Sequence, residues 1–148
     1  MPLLNYTTSV PVTRTIGHIQ ATLVQAGARQ ISTEYNDVGT PVGMNFTVLT
    51  AFGPRHFTLP VNADAVYAVL QQQKVERRYQ TPEHSERVAW RILKDWTEAQ
   101  LAIIQTNMVT LDQVMLPYMI GDNGQTVYEL YRDQQLALPA SSDYSEQT

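Results

Sequence analysis

The sequence predicts an α+β fold: an antiparallel sheet of three or four strands packed against helices, in the order β-α-β-β-β-α-α-α. Residues 31 to 61 alternate with a period of two, and segments of helical period flank them on both sides. Gly, Pro and Asn punctuate the alternation at short intervals, which is the pattern of an antiparallel meander. The run from Arg87 to Ile104 carries apolar residues over more than half of a helical wheel, so it needs neighbours on several sides.

Taken in order, Tyr6 to Val12 is rich in Thr and Val and reads as a short strand. Thr13 is the expected N-cap of a first helix. Ile16, Ile19, Leu23 and Val24 give that helix its apolar side, and Gly27 closes it. Ile31, Thr33 and Tyr35 alternate with polar residues in one strand. Met44, Phe46 and Val48 do so in the next, beyond a turn-rich stretch from Asn36 to Gly43. Gly53-Pro54 turns the chain into a third strand, from Arg55 to Val61.

Asn62 then caps a helix built on Val66, Tyr67, Val69 and Leu70, with Asp64 placed well against the helix dipole. Gln71 to Gln80 is polar and basic and either extends this helix or links it to the next. Thr81-Pro82-Glu83 is a cap, a proline at the first position and an acid in the first turn, so the long helix starts there and runs to about Thr106. Trp96 lies in the middle of its apolar arc and is expected in the core. Trp90 and Leu101, at the edge of the arc, are expected at a contact with a second copy. Thr110 to Gln113 resembles a capping box for a short helix ended by Pro117. Gly121 to Gly124 is a turn, and Thr126 to Asp133 forms a last short element. Residues 1–138 make one domain, and 139–148 form a polar, disordered tail.

The 148 residues contain 10 Lys and Arg against 14 Asp and Glu, a net charge of −4, and no cysteine. That balance excludes a general coater of duplex DNA, which works by neutralising phosphates. The lack of cysteine excludes disulfides, thiolate nucleophiles and cysteine-based zinc sites. No apolar run approaches the ~20 residues of a membrane helix, and Met1 to Tyr6 has no signal-peptide character. The expectation is a soluble cytoplasmic protein without a membrane partner.

The long helix, through Arg87, Ala89, Trp90, Arg91, Lys94, Asp95, Trp96, Glu98, Ala99 and Gln100, resembles a small uncharacterised family encoded in bacteriophage and prophage genomes. Thr13-Arg-Thr-Ile16 and Leu116-Pro-Tyr-Met119 fit the same resemblance, which spans about residues 6 to 135. It implies a context of nucleic-acid handling, counter-defence or virion assembly, in the host cytoplasm, and transfers no site residues.

No catalytic pattern is present. The three histidines, His18, His56 and His84, lack the i, i+4 pairing of a helical metal site, and no cofactor or metal is expected. G-x-S-x-G, G-x-G-x-x-G and P-loop motifs are missing. Glu34, Asp37 and Asp64 supply carboxylates without a distinctive spacing, and Tyr118, Tyr128 and Tyr131 suggest an aromatic cluster.

The strongest candidate is basic. Lys74, Arg77, Arg78, Arg87, Arg91 and Lys94 hold six of the ten cationic side chains within 21 positions, with Trp90 beside them. Arginine forks next to an aromatic face suit a phosphate and a stacked base. The competing reading pairs Glu83–Arg87, Arg91–Asp95 and Lys94–Glu98 at i, i+4 on a solvated helix. The resulting expectation is a non-enzymatic accessory protein. It forms a homodimer or higher oligomer and binds nucleic acid or a nucleotide-like anion through this region. The alternative is a virion or assembly component that binds only protein, and a small hydrolase comes third.

Overall fold

The structure is a computed structural model that describes residues 1–134; the expected tail, and the last residues of the expected domain, lie outside the described residues. Helix α1 (Val12–Gln25) precedes strands β1 (Ala28–Tyr35), β2 (Pro41–Thr50) and β3 (Gly53–Thr58). Helix α2 (Ala63–Gln72), a 3-10 turn (Arg77–Tyr79) and helix α3 (Pro82–Gln105) follow. Helix α4 (Leu111–Met115), a second 3-10 turn (Leu116–Tyr118) and helix α5 (Val127–Gln134) complete the fold. The three strands form one antiparallel sheet in sequence order, so the α+β class holds.

The strand expected over Tyr6 to Val12 is not formed. Pro11 supplies no N–H for a ladder, and the chain makes tight turns instead, with Asn5 at φ +62°. Polar contacts to the helices replace the ladder. Leu3 N–H donates to Gln73 Oε1 (2.9 Å) and Asn5 Nδ2 to Asp95 Oδ2 (2.7 Å). The Tyr6 carbonyl accepts from His84 Nε2. The N-terminal segment thus crosses α3 and reaches the end of α2. Pro11, not Thr13, is the N-cap of α1, and Val24 is exposed. Gly27 closes α1 as expected, at φ +102°.

The sheet turns one face to the helices. Ile31 pairs with Phe46, and Thr33 with Met44; Phe46 also pairs with Phe57, and the two rings stack at 5.1 Å. With Val48 and Leu59 they meet Ile16, Ile19 and Leu23 of α1 and Trp90 and Leu93 of α3 in one apolar core. At the outer edge of β3, Met119 pairs with Phe57, and Ile120 N–H donates to the His56 carbonyl (2.8 Å).

Helix α3 runs without a break from Pro82, capped by the Thr81 hydroxyl. Its buried side is rotated from the expected one. Trp90 is 1% exposed and Leu101 is buried, whereas Trp96 is half-buried and packs edge-on against Tyr118 at 5.6 Å. Thr97 explains the rotation. Its hydroxyl donates to the Leu93 carbonyl (2.7 Å), so a residue that reads as polar is buried with its hydrogen bond satisfied. The stripe Trp90, Leu93, Thr97 and Leu101 then meets α1 and the sheet. The assignment of Trp90 and Leu101 to an intermolecular contact is therefore corrected, and Trp96, expected at the centre of the core, packs against its rim instead. The Thr110–Gln113 capping box of α4 is present in full.

Candidate functional site

Helices α1 and α3 lie side by side and point the same way. Arg91 touches His18, while further along both helices Thr22, Leu23 and Ala26 share a small cavity with Thr97, Leu101 and Ile104. One turn before His18 stands Arg14, and one turn before Arg91 stands Arg87. A repeat of four residues keeps side chains on one helical face. The seam therefore carries Arg14 and His18 on one wall and Arg87 and Arg91 on the other.

The two α3 arginines are half-buried, and each turns to an imidazole. Arg91 Nη1 lies 3.3 Å from His18 Nδ1, and Arg87 Nη2 lies 3.3 Å from His84 Nδ1. A guanidinium only donates, so both ring nitrogens accept. For His84 this agrees with its other nitrogen, which donates to the Tyr6 carbonyl; the buried ring is thereby held in one tautomer. Among the described residues no carboxylate oxygen comes within 4.0 Å of Arg14, Arg87 or Arg91. The expected pairs Glu83–Arg87 and Arg91–Asp95 are not made: Arg87 turns to His84, and Asp95 accepts from Asn5 and faces Lys94.

The other basic residues are distributed differently. Lys94 Nζ is 3.0 Å from Glu98 Oε1 and 3.7 Å from Asp95 Oδ1, so its charge is locally neutralised. Arg78 pairs with Glu76 at 3.1 Å and lies over the Tyr79 ring at 4.7 Å. Tyr79 in turn meets Tyr6 and His84, at 5.6 and 5.0 Å, so a chain of contacts links Arg78 to Arg87. Arg77 and Lys74 are exposed, on the 3-10 turn and just after α2. Trp90 lies inside the core and offers no face to a base, which corrects its assignment as a stacking partner.

Of the four side chains along this seam, the sequence reading singled out Arg87 and Arg91 and did not single out Arg14 and His18. The available signal was the i, i+4 spacing of those two residues on the polar side of α1. The remaining sequence candidates stay apart. The three histidines sit on α1, β3 and α3, and no group of three metal-ligating side chains occurs among the described residues. Tyr118 packs on Trp96, whereas Tyr128 and Tyr131 are exposed and pair with each other at 6.3 Å. Among the described residues no helix is long and apolar enough to cross a membrane. The chain matches no family model, no curated protein and no solved structure.

Proposed function

We propose that the protein is a non-enzymatic binder of a phosphate-bearing ligand, nucleic acid or nucleotide, and that the α1–α3 seam is the contact. The observation that supports this reading most is the state of Arg87 and Arg91. Each gives one N–H to an imidazole and has no carboxylate partner among the described residues, so the rest of its fork is free for phosphate oxygens. Arg14, level with Arg87, adds a third guanidinium. In a chain of net charge −4 such a patch acts locally. With the phage resemblance, this reading fits a protein that handles or sequesters nucleotides.

The test is a titration of the full chain with a short fluorescent oligothymidylate and, separately, with ADP. Arg87→Gln with Arg91→Gln should abolish binding and leave the circular dichroism spectrum unchanged. For the oligonucleotide, affinity should fall steeply with salt as counterions are released, and the slope should drop by roughly one in each single variant, Arg87→Gln or Arg91→Gln. A folded double variant that binds as tightly as the parent would put the protein-only assembly role first.

Self-association belongs to the same proposal, on a different surface from the one expected. Ile92, Trp96, Ala99 and Ile103 follow the 4-3-4 spacing of a helix-pairing seam, and Ala99 and Ile103 are exposed. A second copy of α3 is the partner that this spacing fits.

A further inference from the structure

The sheet has a second face, which no helix covers among the described residues. Register and pleat direct Gln30, Thr47 and His56 to it in one row and Ser32, Asn45 and Thr58 in the next. A trough of about 620 Å³ lies there; Arg29, Gln30, Ser32, Asn45, Thr47 and His56 line it together with Ile31 and Phe46. That is within the range of small-ligand sites.

Three features of the trough favour an oxyanion that carries hydroxyls. Arg29 is the extra residue of a β-bulge, between Ala28 opposite Val48 and Gln30 opposite Thr47. A bulge re-aims the side chain it carries, and Arg29 has no carboxylate within 4.0 Å among the described residues. Second, the one acidic side chain of this face is drawn aside. Glu34 Oε1 accepts from Asn45 Nδ2 (2.6 Å), and its other oxygen folds over Gly43, where a Cβ would stand 3.1 Å away. With its amide nitrogen on Glu34, Asn45 keeps its carbonyl oxygen as an acceptor at the trough's lining. Third, the Thr47 hydroxyl and His56 Nδ1 lie 2.7 Å apart. If threonine donates, the ring offers Nε2–H; if the ring donates, the hydroxyl hydrogen is free. Either tautomer leaves one donor hydrogen to offer.

We propose that this trough binds a sugar phosphate, with the phosphate on Arg29 and the Thr47–His56 pair and the sugar hydroxyls on Ser32, Asn45 and Gln30. A nucleotide fits less well: among the described residues no exposed Trp, Tyr or Phe lines the trough to stack a base, Phe46 being buried in the core, and the His56 ring is engaged with Thr47. The site lies across the sheet from the α1–α3 seam, and neither depends on the other.

Backbone amide NMR spectra of the full chain, titrated with ribose 5-phosphate, ribose and inorganic phosphate in turn, test this. Ribose 5-phosphate should give saturable shifts at Arg29, Ser32, Thr47 and His56, and bind more tightly than inorganic phosphate; ribose alone should give none. Arg29→Gln should weaken binding by roughly tenfold, the scale of a lost charge-assisted hydrogen bond, and Ser32→Ala by less. Both positions are exposed, and an otherwise unchanged spectrum verifies the fold. Shifts confined to Arg87, Arg91 and their neighbours, or an Arg29→Gln variant that binds like the parent, would overturn the proposal. Equal affinity for inorganic phosphate and ribose 5-phosphate would overturn the sugar assignment.

Discussion

Trp90 and Trp96 sit less than two helical turns apart and report different environments. Trp90 fills the core between α3, α1 and the sheet, so Trp90→Ala should cost about 3–5 kcal/mol. Trp96 is only partly buried, so Trp96→Ala should cost roughly half as much. Urea unfolding of the two variants measures the order directly, and a larger loss at Trp96 would contradict the packing. Glu86 carries a pH prediction. Burial pushes its pKa above the usual glutamate range, the charge of Glu83 adds to this, and Arg87 partly offsets it. The folded state therefore holds this proton more tightly than the unfolded state. The stabilisation is complete below the unfolded pKa and is lost as pH rises through the raised folded value. Glu86→Gln should melt above the parent at neutral pH, with the difference vanishing below about pH 4. A variant that melts lower at neutral pH would show that the carboxylate makes a favourable contact.

At the scale of elements, the end of α2 is under strain. Gln73 is its C-cap, and Lys74 follows at φ +53°, a conformation that suits glycine. Its N–H satisfies the Gln71 carbonyl (3.2 Å), so the turn is needed to end the helix although the residue is unfavourable there. Lys74→Gly should raise stability by up to about 1 kcal/mol in thermal unfolding. The same variant removes one cation of the basic set. Because Lys74 lies outside the α1–α3 seam, oligonucleotide affinity should stay near the parent's value. A fall in stability would mean that the lysine side chain makes a contact worth more than the strain. The N-terminal segment makes a related point: it is ordered by amide and carbonyl contacts to α2 and α3 rather than by a ladder of its own.

For the whole molecule, the uncovered half of α3 is the feature with the largest consequence. Helix α2 has only ten residues against the 24 of α3, so it leaves Ala99 and Ile103 in solvent. Sedimentation at micromolar concentration should show more than one chain per particle, and Ile103→Asp should shift the population to single chains without loss of secondary structure. A parent that sediments as a single chain would leave α3 as a spine within one molecule.

The α+β class, the three-strand meander, the unbroken α3 and the caps at Asn62, Thr81 and Thr110 were legible in the sequence. Each depends on residues close together in the chain: a period of two or 3.6, a hydroxyl or amide three residues before an N–H, a glycine at positive φ. Arg87 and Arg91 were legible for the same reason, as neighbours on one helix. Only the tertiary structure decided which side of α3 is buried. Its apolar arc was wide enough to permit several rotations, and the choice fell to the neighbours it packs against. Burial of Thr97 was possible because its hydroxyl bonds within the helix, which no hydrophobicity pattern records. Tertiary contacts likewise tie Leu3, Asn5 and Tyr6 to α2 and α3, where the sequence suggested a strand from Tyr6 onward. They also brought His18 to Arg91 across 73 residues of sequence. Local rules set what each segment becomes; which surfaces meet depends on contacts between segments, and those are not written in any single stretch of the chain.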